Sequence, residues 1–475
     1  MTQNATSLRG PEPSGYVAAP ARLRRPATPG WWRDLAALLA WGSVLVVVAL
    51  WVSRGGLQGL VGWDGWLTGV GRISGLVASD LILLQVFLMA RVPFVERSYG
   101  QDELARRHRL VGFASFTLMI VHVVTIVLGY ATTASRGVLG QAWEMVWSYP
   151  GMLLATAGSL LLVMVVVTSV RAARRRLRYE SWHLLHLYAY LGAGLALPHQ
   201  IWTGVDFVGT PWARAYWWSV YAVSLGAVVV YRIGLPVFRS LRHRLVVERV
   251  VTEGPGVVSV HVRGRNLHRL PVSGGQFFAW RFLSGPGWTR AHPWSLSAAP
   301  TSDRLRITVK DLGDASFALS RLQPGTRVLI EGPYGRLLPS LRTRRKVTLI
   351  ASGIGITPLR ALLEELDFAP GEVTLLYRAS TDTDLVFHDE LSALAERRGA
   401  RVVWLPGHRV PGRSSWLPSD AGHLSDAEGL RRLVGDIAEH DVYLCGADAW
   451  MSAAREAALA CGVPSENIHL ERFSW

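Results

Sequence analysis

Cysteine and lysine are nearly missing from these 475 residues: there are two of each, Cys445, Cys461, Lys310 and Lys346. Two cysteines cannot build a disulfide framework or ligate an iron-sulfur cluster, so any redox chemistry must run on other carriers. The shortage of lysine leaves arginine to supply a formal charge of +15. The arginines gather at the ends of apolar runs instead of forming one block, a pattern of anchoring at a membrane surface and not of a nucleic-acid footprint. Residues 1–30 have no apolar core; rich in Pro, Ala and Gly, they read as a disordered cytoplasmic tail and not as a signal peptide.

What is plentiful is apolar. Half of the residues are hydrophobic and 20 are tryptophan. Six runs, near 33–53, 67–91, 108–130, 150–170, 181–202 and 214–235, reach the roughly 20 residues that a transmembrane helix needs. Their connections sort by charge. Arg22, Arg24, Arg25 and Arg33 precede the first run, Arg91, Arg97, Arg106, Arg107 and Arg109 follow the second, Arg171, Arg174, Arg175, Arg176 and Arg178 follow the fourth, and Arg232, Arg239, Arg242 and Arg244 leave the sixth. The other connections are nearly free of basic residues. The positive-inside rule then places both termini in the cytoplasm of a multi-pass cell-membrane protein, with the third and fifth runs crossing in the same direction.

From about residue 243 the pattern changes to short alternating strands such as LVVERVV and VVSVHVRG with Gly/Pro turns, as in a small antiparallel β-barrel. After Arg345 it becomes strand, glycine loop and helix, the alternation of a parallel nucleotide-binding α/β sheet. The expected architecture is a tail (1–30), a six-helix transmembrane bundle (31–240), an antiparallel β-barrel (243–340) and an α/β nucleotide-binding domain with a parallel sheet (345–475).

Histidines interrupt the membrane half. The third run carries His108 and His122, and the fifth carries His183, His186 and His199. Polar groups in hydrocarbon are costly and mark sites. His108 and His122 lie 14 residues apart, close to four turns, and so share one helical face about 21 Å apart. His186 and His199 lie 13 residues apart, about 20 Å. On two helices running the same way, His108 can face His186 and His122 can face His199, the arrangement that two stacked bis-histidine haems require. A 13-residue spacing leaves His199 about 140° off the face of His186 in a regular helix, so the pairing asks for a distortion at Pro198 or a π-bulge. His183 lies nearer the arginine-rich loop and reads as an interfacial residue or a propionate neighbour.

In this respect the chain resembles the ferric reductase and NADPH oxidase superfamily, where two histidines on the third helix and two on the fifth hold two b haems; His108, His122, His186 and His199 match those positions. By the same resemblance Arg72, in GVGRISGL, pairs with an outer-haem propionate or lies near the acceptor, while a snorkelling arginine explains it as well. Asp80, deeper in the same run, has no assigned role.

In TRAHPWSLS, Pro293 and Trp294 can supply a flat surface for an isoalloxazine, Ser295 a hydroxyl near its N5, and Arg290 or His292 a charge for the pyrophosphate. The superfamily's His-Pro-aromatic-Ser/Thr flavin motif matches His292 to Ser295. Lys310, Gly313 and Ser316 in ITVKDLGDAS stand where that family contacts the FAD pyrophosphate, and EGPYG (331–335) follows in order. ASGIGITPLRALL follows an apolar strand and opens a helix; Gly353 and Gly355 permit close backbone approach, and the helix N-terminus favours a phosphate. It matches the family's Gly-x-Gly-x-Thr-Pro nicotinamide loop, with Thr357 and Pro358 completing it. Tyr377, Arg378 and Ser380 end the next strand, where the family reads the adenosine ribose; Arg378 with Ser380 would hold a 2′-phosphate, which favours NADPH over NADH. Cys445 and Gly446 match the Cys-Gly turn beside the nicotinamide. The resemblance assigns Trp475, with Phe473 second, to stacking on the flavin.

What the resemblance implies is a transmembrane oxidoreductase: NAD(P)H reduces FAD in the cytoplasm, and single electrons pass through the His108/His186 haem and the His122/His199 haem to dioxygen or a ferric chelate outside. Ser295, Cys445 and Trp475 are the candidate catalytic residues. Two readings of other classes stay open: a membrane-anchored flavoreductase without haem that serves a protein or quinone, and a metal transporter with a histidine pathway. The sequence does not choose the acceptor or the oligomeric state.

Overall fold

The computed structural model describes residues 31–174, 176–177, 179–285, 288–311 and 314–471. The expectations for residues 1–30, Gly313, Phe473 and Trp475 therefore fall outside the described residues. Beyond residue 27 the chain divides into two compact units, one of residues 28–242 with 329–334 and one of residues 243–328 with 335–475.

The first unit is helical. It contains α1 (Trp31–Ser53), α2 (Gly62–Leu88), α3 (Pro93–Tyr99), α4 (Gln101–Thr133), α5 (Val138–Ser148), α6 (Met152–Ser169), α7 (Arg171–Arg174), α8 (Tyr179–Trp202), α9 (Val205–Val208), α10 (Pro211–Ala227) and α11 (Leu235–His243), with a π-helical stretch, Val228–Gly234, joining the last two. Among the described residues five helical runs are long and apolar enough to cross a membrane: Trp31–Ser53, Gly62–Leu88, Glu103–Thr133, Met152–Ser169 and Pro211–His243. The sixth expected span, α8, forms over 24 residues, but three histidines, three tyrosines and Gln200 dilute its apolar character. Many of the unit's large apolar side chains, among them Leu38, Trp41, Leu45, Leu160 and Leu191, point outward, as suits a hydrocarbon solvent.

Small residues let these helices approach. A Cβ at Gly71 of α2 would lie 2.6 Å from the Ile126 side chain of α4, and one at Gly158 of α6 would lie 2.5 Å from the Gly192 carbonyl of α8. Helices in lipid gain their association from such packing, because burial from water contributes nothing there.

The second unit begins with β1 (Val246–Gly254), β2 (Val257–Arg263), β3 (Phe277–Phe282), β4 (His292–Ser295), β5 (Arg304–Lys310), α12 (Asp314–Leu319) and the start of β6 (Val328–Tyr334). One antiparallel sheet runs β1-β2-β5 and the other β4-β3-β6. Where the strand pattern leads one to expect a small antiparallel barrel, the strands are arranged as two three-stranded sheets. Among the described residues they meet at the isolated bridges Val246 to Arg327 and Leu296 to Ile307 and through backbone hydrogen bonds from Ser297 to Arg306 and from Val328 to Leu245, around a core of Val260, Val262, Phe278, Trp280 and Ile307.

The unit continues with β7 (Lys346–Ser352), α13 (Ile356–Glu365), β8 (Val373–Ala379), α14 (His388–Arg398), β9 (Arg401–Pro406), α15 (Asp426–Leu433), β10 (His440–Cys445), α16 (Asp448–Ala460) and β11 (Ile468–Leu470). The five strands form one parallel sheet in the order β11-β10-β7-β8-β9. Every residue of β8 is buried, as a central parallel strand covered on both faces must be. The strand order reverses between β7 and β10, and in open α/β sheets ligands bind beyond the carboxyl ends of the strands at that switch point. The loop Gly353–Gly355 and the Cys445-Gly446 turn both leave the sheet there.

Candidate functional site

Two histidine pairs bridge α4 and α8. The ring centres of His108 and His186 lie 5.9 Å apart, and those of His122 and His199 lie 6.4 Å apart. The pairs follow the same order along both helices, so α4 and α8 run in the same direction. The pairing expected from spacing is present, and α8 stays helical through Pro198; the π-helical stretch lies elsewhere, at Val228–Gly234.

Hydrogen bonds fix what these rings offer each other. His122 Nδ1 lies 2.7 Å from the Gly71 carbonyl, which can only accept, so Nδ1 carries the proton and Nε2 presents a lone pair. Thr203 gives its hydroxyl proton to the His199 carbonyl at 2.7 Å, so its oxygen accepts from His199 Nδ1, also at 2.7 Å, and again leaves Nε2 bare. His186 Nδ1 is 3.2 Å from Ser169 Oγ. His108 Nδ1 is buried and meets no acceptor at full hydrogen-bond geometry, though the Gln85 backbone lies on its side. A metal-binding imidazole typically donates its second N–H to such a partner. The cradle is close: a Cβ at Gly75 would lie 2.5 Å from His122 Nδ1, and one at Gly151 would lie 2.7 Å from the His199 amide.

The separations suit a shared metal. With about 2.0 Å from nitrogen to metal and about 1.1 Å from nitrogen to ring centre, two imidazoles on opposite sides of one ion have ring centres about 6.2 Å apart. Among the described residues no group of three or more His, Cys, Asp or Glu gathers as a metal site. A pair of imidazoles with no third protein ligand suits a metal whose other ligands come from a macrocycle.

The His183 ring lies tilted beside that of Trp182, 6.4 Å between centres. Arg72 makes a two-pronged ion pair with Asp206, at 2.9 and 2.7 Å, and Arg54 approaches the same carboxylate at 3.5 Å. Asp80 accepts from the hydroxyls of Ser43 at 2.6 Å and Tyr216 at 2.8 Å. Sequence reading named Arg72 and Asp80 but missed these partners, which come from helices distant in the chain.

In the second unit β4 is an edge strand. Pleating places His292 and Trp294 on one face, where their rings stack 5.1 Å apart, and Pro293 and Ser295 on the other. A flat ligand at the strand's free edge can meet both faces. Trp280 donates to the Trp294 carbonyl at 2.9 Å and holds that aromatic in place. Lys310 pairs with Asp384 at 3.5 Å, Ser316 donates to Asp311 at 2.9 Å, and Arg290 is exposed at the mouth of the turn before β4.

At the switch point of the parallel sheet lies a cleft of about 370 Å³, lined by Lys310, Gly353, Ser380, Arg409, Arg413 and Trp450 among others. Gly353 has φ +54°, and a Cβ at Gly355 would lie 2.3 Å from the Cys445 carbonyl. Only glycine allows the loop to pass so near the Cys445-Gly446 turn. Thr357 caps its own turn on the Ile354 carbonyl at 3.0 Å, and Pro358 follows at the start of α13, where its missing N–H costs nothing. Cys445 is fully buried; burial, with the Glu471 carboxylate adding to it, pushes its thiol well above the ordinary range, so it is no thiolate nucleophile.

Arg378 borders the cleft but is buried, and its guanidinium donates to the backbone carbonyls of Ala379, Leu405 and His408, the last at 2.8 Å, which supports the loop after β9. That loop carries Arg409 and Arg413, exposed side chains at the cleft that sequence reading missed because GHRVPGRSS has no periodicity to place them.

Comparison with known proteins agrees with both halves. The family described as ferric reductase like transmembrane component matches residues 74–197, and the oxidoreductase NAD-binding domain matches residues 349–456. The ferredoxin reductase component of 3-ketosteroid-9-alpha-monooxygenase from Mycobacterium tuberculosis is 33% identical over 210 residues, 43% of this chain and 56% of the relative. Ferredoxin–NADP reductase B from Sorangium cellulosum is 31% identical over 198 residues, 40% of this chain and 80% of the relative. The chain spans about half the length of the first curated relatives it matches. Among solved structures, the FAD/NAD-binding domain of nitric oxide dioxygenase from Vibrio cholerae is 24% identical, covering 49% of this chain and 99% of that one, with a TM-score of 0.40.

Proposed function

Because the chain belongs to the ferric reductase-like membrane proteins that carry a ferredoxin-reductase-type flavin and nicotinamide module, we propose that this electron-transfer oxidoreductase moves electrons from cytoplasmic NADPH to an acceptor across the membrane. Bound FAD would take a hydride and bound b haems would relay single electrons, chemistry that no side chain of this protein supplies. The chain's own part is placement. His108 with His186, and His122 with His199, would hold two haems at two depths. His292, Trp294 and Ser295 would meet the flavin at the free edge of β4, with Lys310, Ser316 and Arg290 toward its pyrophosphate. The loop Gly353–Gly355 and the N-terminus of α13 would take the nicotinamide dinucleotide's phosphates, with Cys445 as a neutral thiol against the nicotinamide.

NADPH is preferred over NADH because Arg409, Arg413 and Ser380 give one end of the cleft the charge and hydroxyl that a 2′-phosphate needs. The acceptor is a ferric chelate or dioxygen, and the net reaction releases one proton and two electrons from each NADPH. The observation that carries the reading is the pair of facing imidazole couples, His108 with His186 and His122 with His199, the second with Nε2 of both rings left to present a lone pair. A flavoreductase without haem has no use for either couple.

The test is a reduced-minus-oxidised spectrum of purified, haem-loaded protein, with NADPH oxidation followed against ferric citrate and against superoxide formation. Two b-type haems per chain and turnover with one acceptor are expected. A flavin-loaded protein without b-type bands would overturn the haem assignment, and no turnover with either acceptor would overturn the electron-transfer route.

A further inference from the structure

A closed ring of polar side chains joins the β-sheet half of the second unit to its parallel-sheet half, away from the cleft itself. Arg306 on β5 donates through Nε to Ser297 Oγ at 3.1 Å and through Nη2 to the Ser297 carbonyl at 2.7 Å. Its other edge forms a two-pronged pair with Glu390 on α14, at 3.0 and 2.9 Å. Glu390 also takes Arg360 of α13 at 2.5 Å, and Arg360 pairs with Glu364 one turn on. Glu364 closes the ring by accepting from the Ala299 amide at 2.8 Å. Beside it Glu365 accepts from the Gly274 amide, where a Cβ would lie 2.6 Å from the Ala361 carbonyl. Phe387, held at φ +63° just before α14, lies 4.7 Å beneath the Arg306 guanidinium.

The two ends of the ring matter. Ser297 and Ala299 lie two and four residues beyond Ser295, at the flavin strand. Arg360 lies two residues beyond Pro358, on the helix that the nicotinamide loop opens. The two arginines and two glutamates balance to no net charge, so the ring has nothing to attract a ligand with. Buried ion pairs add little net stability over apolar groups of the same volume, whereas two-pronged arginine–carboxylate pairs fix both distance and angle. A bulky residue kept in the left-handed region under one of those arginines is a cost that only a geometric constraint explains.

We propose that this ring sets the separation and angle between nicotinamide and flavin, which makes Arg306, Glu390, Arg360 and Glu364 positioning residues for hydride transfer. The inference rests on the reading of the second unit as a hydride-transfer module. The step itself moves one hydride, two electrons with one proton, from the nicotinamide C4 to the flavin, leaving NADP⁺. The ring contributes no proton and no charge to it.

The experiment uses full-length, FAD-loaded protein and its Arg306→Met, Arg306→Lys and Glu390→Gln variants. Anaerobic flavin reduction by NADPH and by C4-deuterated NADPH is followed, together with the NADP⁺ dissociation constant, the long-wavelength charge-transfer absorbance per bound flavin, and the melting temperature. Arg306→Met and Glu390→Gln are expected to slow reduction by about ten-fold or more, as an ångström-scale misplacement does. They should also weaken the charge-transfer band while the dissociation constant stays within about three-fold. Arg306→Lys should recover less than half of the lost rate, because a point charge cannot reproduce the fork. Reduction within about two-fold of wild type in Arg306→Met and Glu390→Gln overturns the proposal. So does slowing that tracks lost flavin or a lowered melting temperature with the charge-transfer band per flavin unchanged, since that is a merely structural role. If the wild-type flavin is not reduced by NADPH at all, the hydride-transfer reading fails first and the ring's role with it.

Discussion

Four histidines in the helical unit and three arginines at the cleft of the parallel sheet are all polar groups with candidate roles, and they differ in how those roles can be recognised. In the helical unit the surroundings are hydrocarbon, so a buried imidazole must be matched by something, and each pair has its counterpart about 6 Å away across α4 and α8. In the cleft, water and backbone carbonyls compete for every guanidinium. Arg378 donates to the carbonyls of Ala379, Leu405 and His408, while Arg409 and Arg413 lie exposed on an irregular loop, where Arg413 donates to the Leu424 carbonyl and faces Asp426 at 3.8 Å. The same kind of residue is therefore diagnostic in lipid and ambiguous in a soluble fold, because the cost of leaving a polar group unmatched is much lower where water can reach it.

The comparison is broken most directly at its membrane side. His108→Ala and His186→Ala should each remove one haem and slow electron delivery to the acceptor by at least ~100-fold, while flavin reduction by NADPH stays within about two-fold; pyridine haemochrome quantification and stopped-flow flavin spectra check both. Two haems per chain retained in either variant would disprove the pairing. His183→Ala should retain both.

On the cleft side, Arg409→Ala combined with Arg413→Ala should raise the KM for NADPH by about 10–100-fold, the loss expected for hydrogen bonds to a charged group. The KM for NADH should be unchanged. Steady-state flavin reduction with both dinucleotides measures this, and equal losses for the two would return the arginines to the ordinary surface. Arg378→Leu should instead lower the melting temperature, because it removes the support of the loop after β9.

The smallest effect concerns His261 on β2. Burial, then the nearby Arg249 and Arg306, lower its pKa to about 4. A group depressed in the folded state contributes stability that is present above its unfolded value near 6.5 and is lost as the pH falls toward 4. The melting temperature of the full chain should therefore decline between about pH 6.5 and pH 4, and His261→Asn should flatten part of that slope. An unchanged slope would remove His261 from the acid response.

Much of this was legible in the chain because lipid and nucleotide impose simple rules. Long apolar runs, arginines sorted to alternate connections, and histidines 13 and 14 residues apart are properties of order along the sequence, and the alternation of strand, glycine loop and helix after Arg345 is another. What could not be read were the relations between distant segments. Whether α8 would turn His199 toward His122 despite its spacing depends on how the helices pack at Gly158, Gly192 and Gly151. That the strands after residue 243 form two three-stranded sheets depends on which edges pair. Arg72 finds Asp206, Asp80 finds Ser43 and Tyr216, and Arg306 finds Glu390 only once the fold has brought them together. By itself the sequence determined which half is built of long apolar runs and which of alternating strands and helices, because hydropathy and periodicity are local. The tertiary structure decided which polar group answers which, because hydrogen bonds and ion pairs are satisfied by neighbours in space.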